Sequence, residues 1–453
     1  GDSVSTLNVD KVDPSTGTAL ELGTSGDTIT VPTGAGLTVV DEVKTNKISP
    51  ATGTAFTLGD SGDTFTVPSG ATIANSGTAT GFGITQTSFL PNSQSMIING
   101  DMQVNQRATS STGIASGDDG YHTADRWYFT TANQSSVWTQ TTEALTSGDA
   151  VEDGFSKSLK MDVTTADASP TASARLNLRY SFEGQDVQLI KKGTASAEKI
   201  TVAFWIKATK TGTNILELYD ESTTNRHCSA AYTVSSTDTW EYKVVTFPAD
   251  TAGAVLANTN AQTLDLYFWL AAGSNYTSGT LQTTWIDYNS GSTRDDRAVG
   301  QVNNADNTAN NFEITGIQLE VGEYTSADLP PFRHENYGTN LARCQRYYFD
   351  CNPGRVLAAA LAAGAYTTST NIQGAIQFPV AMRTNPTMYE VGGSGYWAAE
   401  KDTYDIFDDI TIYQPSLTRS GFNGSGNVSA TGNDACLVRY RNTNARLAFF
   451  AEM

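Results

Sequence analysis

Ile200-Thr201-Val202-Ala203-Phe204-Trp205-Ile206-Lys207 is the run from which the fold class can be read. Successive side chains of a strand alternate between two faces. Val202, Phe204 and Ile206 make one face apolar, and Ala203 with Trp205 does the same for the other. A strand apolar on both sides belongs inside a stack of layers. Working outward, Arg175–Phe182, Trp240–Phe247, Leu264–Leu270 and Phe312–Val321 are also rich in aromatic and apolar residues, with clusters of Gly, Ser, Asn and Asp between them. Those clusters supply turns, whereas β-branched and aromatic residues suit a pleated surface. The number and spacing of such strands between Met96 and about Tyr324 predict a jelly-roll-like sandwich of two sheets.

Past this region Pro330-Pro331 marks a break, and a short helix is expected next. Thr339 or Asn340 would cap it, with Leu341, Cys344, Gln345 and Tyr348 at helical spacing. The last hundred residues return to strands, with turns at Gly392–Gly395 and Gly421–Gly426 and a closing apolar strand at Leu447–Ala451. On the N-terminal side lies a direct repeat with a period of 36 residues: KVDPSTGTALELGTSGDTITVPTG from Lys11 and KISPATGTAFTLGDSGDTFTVPSG from Lys47. Two such units cannot enclose a core alone, because repeats bury their apolar faces only against neighbours. Identical chains winding together would supply those faces, which predicts a slender β-shaft with three-fold symmetry. The chain therefore reads as all-β and trimeric, in four parts: a shaft and connector over 1–95, a sandwich over 96–329, a connector with a short helix over 330–351, and a C-terminal β-domain over 352–453.

Charge narrows the partners. Lys and Arg number 28 against 47 Asp and Glu, a net charge of −19. A nucleic-acid binder needs a basic track to displace counterions, and none is present, so no nucleic-acid partner is expected. No apolar run approaches the roughly 20 residues of a membrane span, so no membrane insertion is expected either. The opening residues lack the pattern of a secretory signal, and Gly1-Asp2-Ser3 reads as a cloning or cleavage scar. Cys228, Cys344, Cys351 and Cys436 form no CxxC pair, and His122, His227 and His334 are far apart, which argues against zinc and for free, mostly buried thiols.

Three further stretches carry a family resemblance. Ile98-Asn99-Gly100-Asp101-Met102-Gln103-Val104-Asn105-Gln106-Arg107, followed by Asp125-Arg126-Trp127, resembles the opening of a module of phage tail-fibre proteins. Ile314 to Gly322, leading to Pro331-Phe332-Arg333 and Leu341 to Tyr348, resembles its continuation. Phe378 to Pro386 is similar to the C-terminal part of the same fibres. The resemblance covers residues 96–453. It implies a trimeric fibre with a carbohydrate-binding-like jelly-roll and a distal domain that meets the host, held to other virion proteins through its N-terminal region. Such a protein is made in the host cytoplasm, rides on the virion tail and acts at the surface of the next host. By analogy with carbohydrate-binding sandwiches it also raises a structural Ca²⁺, for which Asn99, Asp101, Asp125 and the Asp295-Asp296 turn are the oxygen donors; no other cofactor is expected.

Motifs for chemistry are missing. There is no G-x-S-x-G elbow, no P-loop and no dinucleotide fingerprint. Acidic pairs suitable for glycoside hydrolysis, Asp295-Asp296 and the group Asp402, Asp405, Asp408 and Asp409, read as solvated turns. Sugar recognition needs exposed aromatic faces with a few polar groups. Trp205, Trp240 and Trp269 lie in strong strands and read as core. Tyr396 and Trp397, beside the glycine-rich loop, and Tyr404 are the candidates for receptor contact, unless their rings pack against a neighbouring subunit. The expectation is a non-catalytic tail fibre that binds a host surface glycan or other receptor. A purely architectural virion protein (capsid fibre or tail adaptor) and a polysaccharide-degrading tailspike are the competing readings.

Overall fold

The computed structural model describes residue 12 and residues 95–221, 225–288, 294–429 and 434–453. Both repeats, and the shaft and three-fold association inferred from them, lie outside the described residues.

Among the described residues the fold is built from antiparallel sheets. Sheet A has six strands in the order Ser110–Ile114, Val137–Ala144, Lys157–Thr165, Asn311–Val321, Ile200–Ala208 and Glu241–Phe247. Sheet B has seven: Ile286–Asp287, Arg226–Val234, Gly212–Asp220, Gln262–Ala272, Arg175–Glu183, Tyr128–Ala132 and Gly120–Tyr121. One core joins them, with Val202, Phe204 and Ile206 from sheet A and Leu178, Leu266 and Phe268 from sheet B all fully buried. Burying each such side chain favours folding by about 1.5–3 kcal/mol. The other face of Ile200–Ala208 is apolar too, since Trp205 packs in a smaller cluster with Phe155 and Trp240. Sheet B likewise has a second apolar cluster, in which Trp269, Tyr219 and Tyr267 meet Tyr276 and Ala298.

Two glycines of the resembling motifs are explained by close approach. A Cβ on Gly100 would stand 2.1 Å from the Ile317 carbonyl oxygen, and the Ile317 N–H donates to the Gly100 oxygen at 3.0 Å. Gly316 has φ +63° and would drive a Cβ to 2.6 Å from the Phe155 ring. It sits where the ladder between Asn311–Val321 and Ile200–Ala208 shifts register, as at a β-bulge.

The helix spans Tyr337–Gln345. Its cap is Asn336, whose side chain accepts from the Thr339 N–H at 2.9 Å, and neither Thr339 nor Asn340 fills that role. Asn340 is buried instead and donates to Asp101 at 3.1 Å. Tyr348, expected on the helix, opens the strand Tyr348–Asp350. That strand joins Arg446–Phe450 and Thr387–Val391 in a three-stranded sheet C. Sheet D has seven strands, in the order Tyr404–Phe407, Trp397–Glu400, Ala435–Tyr440, Ala360–Thr368, Asn371–Gln377, Arg419–Ser425 and Asp409–Tyr413. The stretch Gly421–Gly426, expected as a turn, is mostly the strand Arg419–Ser425. Its glycines make room for rings: a Cβ at Gly421 or Gly424 would meet Tyr413 or Phe407 at 2.7 Å. The chain turns one residue later, at Gly426 and Asn427, both with positive φ. All four cysteines are free thiols, and three of them are buried.

Candidate functional site

Residues from three of the stretches that carry the family resemblance meet at one place, the joint between the sandwich and sheet C. Arg107 stacks its guanidinium on Tyr348 at 3.6 Å from the ring centroid and donates to Glu452 at 2.8 Å. Arg126, only 1 % exposed, lies 3.5 Å over Tyr347 and donates to the Ser181 carbonyl at 2.6 Å and to Glu452 at 3.1 Å. Gln106 bridges Asp125 and the Tyr348 carbonyl at 2.6 and 2.7 Å. Arg346 grips Glu183 with two bonds of 2.8 and 2.7 Å, and the Tyr347 hydroxyl donates to the same carboxylate. From the Phe378–Pro386 stretch, Arg383 donates to the Ala451 and Glu452 carbonyls and to that of Asn260. Charge-assisted bonds of this kind are about twice as strong as neutral ones.

Over this joint opens a cavity of about 740 Å³. The sandwich contributes Tyr121 and Tyr128, whose rings meet edge to face at 5.1 Å. Sheet C contributes Tyr348 and Tyr389, the latter 48 % exposed. Arg446 lies 5.6 Å from the Tyr389 ring centroid and donates to the Tyr348 hydroxyl at 2.6 Å and to Asp350 at 3.0 Å. Burial pushes the Tyr348 hydroxyl up to about 12, so it stays a neutral donor and acceptor. His122 at the rim meets the Asp118 carbonyl at 3.0 Å, and burial pulls its imidazole below the ordinary value. Asp119 accepts from the Thr131 N–H at 2.6 Å, and Glu452 is held by two arginines. The cavity thus offers rings, guanidinium groups and hydroxyls, with both lining carboxylates already engaged.

The residues expected to bind receptor do not come together. Trp397 is fully buried, its indole N–H donating to Glu390 at 3.1 Å and its ring 4.9 Å from Tyr440, so it presents no face to a ligand. Strand parity explains this: Trp397 and Ala399 share the inward face of sheet D. Tyr396 is half-buried against the same core. Tyr404 alone is exposed, at 51 %, with the Arg441 guanidinium 5.5 Å from its ring centroid.

The calcium donors do not fit a cation. Asn99, at φ +59°, uses its amide as a clamp, accepting from the Val104 N–H and donating to the Val104 and Asp125 carbonyls. Asp125 accepts from Gln106 on both oxygens and lies 3.6 Å from Arg107; burial pushes its carboxyl up to about 6. Asp101 accepts from Asn340. Asp296, from the other turn named, is bonded to His227. Among the described residues no three His, Cys, Asp or Glu side chains gather as a metal set would. Each of these four side chains already serves a protein donor, and at Asp125 the Arg107 guanidinium takes the place a cation would need.

Comparison with known proteins adds little. No family model matches the sequence, and no curated protein matches it either. Among solved structures, the enzymatically active domain of bacteriophage CBA120 tailspike protein 4 matches at 13% identity and a TM-score of 0.25, over 50% of this chain and 21% of that one. The family 11 carbohydrate-binding module of Lic26A-Cel5E from Clostridium thermocellum matches at 11% and 0.24, over 46% and 95%. The tandem CBM22 domains of Paenibacillus barcinonensis Xyn10C match at 10% and 0.22, over 72% and 93%. At such TM-scores these likenesses carry no argument about function.

Proposed function

We propose that this chain is a receptor-binding fibre protein of a phage tail, holding a host surface glycan without cleaving it, with the joint cavity as the glycan site. The observation that carries the reading is the tyrosine-lined cavity. A sugar ring is recognised by aromatic faces for its C–H groups and a few fixed polar groups for its hydroxyls. Tyr389, Tyr128 and Tyr121 would supply the faces, and Arg446 and the Tyr348 hydroxyl the polar contacts. At about 740 Å³ the cavity falls in the range of small-molecule sites, roughly 300–1,000 Å³. The family resemblance of residues 96–453 supports the fibre assignment, and the N-terminal repeat supports a homotrimer bound to the particle through residues 1–95. Three copies would turn weak sites into avidity, on the order of 10²–10⁴ where linked receptors can be spanned.

Binding without catalysis is favoured by the state of the lining carboxylates. Glu452 is paired with two guanidinium groups and Asp119 accepts from the Thr131 N–H, an arrangement that supports holding a sugar over the paired acid and base that glycoside cleavage needs. Glycan-array binding paired with an assay for released sugar tests the proposal. Binding with no released product is the expected result. Released oligosaccharide would establish the tailspike reading instead, and silence in both assays the architectural one.

A further inference from the structure

A second hollow lies on sheet D, away from the joint. It measures about 210 Å³ and is lined by Leu357, Ala358, Tyr404, Arg439, Tyr440 and Arg441. We infer that it is a subsite for a sugar residue bearing a carboxylate, such as a uronic acid; this rests on the reading of the chain as a glycan binder. The volume falls below that of drug-sized pockets, roughly 300–1,000 Å³, and suits a single ring.

Three features point to that ligand. Tyr404 is half exposed and offers a flat face to the apolar side of a sugar. Leu357, which lines the same hollow, is 57 % exposed and offers an aliphatic surface. The segment displaying it is fixed: the Asn352 amide both accepts from and donates to the Val356 backbone at 3.1 Å. Ala358 is held at φ +62° while its N–H donates to the Tyr440 carbonyl at 2.8 Å. A non-glycine residue in the left-handed region costs energy that the surroundings must hold in place.

The third feature is charge. Arg439 is paired with Glu400, and Lys401 with Asp434 and Asp402. Arg441 is exposed and, among the described residues, makes no ion pair; its guanidinium lies 5.5 Å from the Tyr404 ring centroid. A planar guanidinium beside an aromatic face matches a carboxylate through two parallel bonds, which a lysine cannot reproduce. The net charge of −19 repels long polyanions, so the ligand is a single acidic residue at or near a chain end rather than a densely charged polymer.

The test uses the full-length chain with a glucuronate-terminated oligosaccharide and its carboxyl-reduced counterpart, titrated calorimetrically. The acidic form should bind about tenfold more tightly, a factor fitting one charge-assisted bidentate contact. Arg441→Gln should erase that preference while leaving the melting temperature unchanged, and Arg441→Lys should restore part of it. Tyr404→Ala should weaken both ligands. Equal affinity for the two forms, or a preference that survives Arg441→Gln, overturns the inference. Should neutral glycans bind and respond to Tyr389→Ala while the Tyr404 and Arg441 variants change nothing, this subsite fails and the joint cavity stands. Absence of binding to any glycan removes both.

Discussion

Arg126 shows how much of this molecule rests on single buried side chains. Its guanidinium satisfies the Ser181 carbonyl, neutralises Glu452 and covers the Tyr347 ring, all with 1 % exposure. Removing it leaves the buried Ser181 carbonyl without its donor, while Arg107 still pairs with Glu452, at a cost of about 1–3 kcal/mol. Arg126→Ala should therefore lower the urea midpoint by that equivalent, whereas Lys199→Ala, whose pair with Glu323 is exposed, should change stability by less than about 1 kcal/mol. Similar losses in the two variants would show that the joint is not a stabilising centre. His227 is the residue with the clearest pH consequence. It is fully buried, bonded to Asp296 at 3.1 Å, and its imidazole is pulled down to about 4 by burial first and Arg297 second. Its folded value lies below the unfolded one, about 6.5, so the unfolded chain binds the extra proton. The stability it contributes is complete above about pH 6.5 and is lost as pH falls towards 4. Melting curves across that window should fall more steeply for the native sequence than for His227→Gln. Parallel curves would contradict the assignment.

At the scale of the element, the helix Tyr337–Gln345 separates two roles that sequence alone confuses. Asn336 caps it, while Asn340, one turn later, points inward to Asp101. Asn336→Ala should cost about 1 kcal/mol as a lost cap, and Asn340→Ala about 1–3 kcal/mol as a lost partner of a buried carboxylate. Thr339→Ala should be nearly neutral; a loss at Thr339 equal to that at Asn336 would mean that the cap is misassigned. Strands of the sandwich were legible because apolar and aromatic residues recur along five long segments, at alternate positions in most of them, and Ile200–Ala208 is found where that pattern put it. Arg419–Ser425 was not, since Gly421 and Gly424 look like turn residues until Tyr413 and Phe407 are seen lying over them. Of sheet C only the closing strand was legible, expected at Leu447–Ala451 and found at Arg446–Phe450; its two short partners come from distant segments, and nothing local announces their pairing. The candidate site suffered the same limit. Tyr404 was recognisable as an exposed ring, but Trp397 lies on the inward parity of its strand. Arg107 and Tyr348 belong to the motifs that the sequence shows, whereas Tyr128 stands out only as the less buried residue between Trp127 and Phe129, both of which are buried.

For the whole molecule, the joint ties function to architecture. The strand Arg446–Phe450 carries Arg446 into the cavity, and Glu452 just beyond it locks two sandwich arginines. On the proposed reading, a ligand seated between Tyr128 and Tyr389 would contact the sandwich and sheet C together, so ligand binding and the rigidity of the joint would share the same residues. The most direct test is the affinity of the full-length chain for host cells, or for the glycan an array identifies, with and without Tyr389→Ala. Tyr389 is exposed, so its removal should leave the melting temperature unchanged. Binding should weaken by more than about 1 kcal/mol, roughly fivefold or more, as for an aromatic hot spot. Unchanged affinity in a folded Tyr389→Ala protein would contradict it.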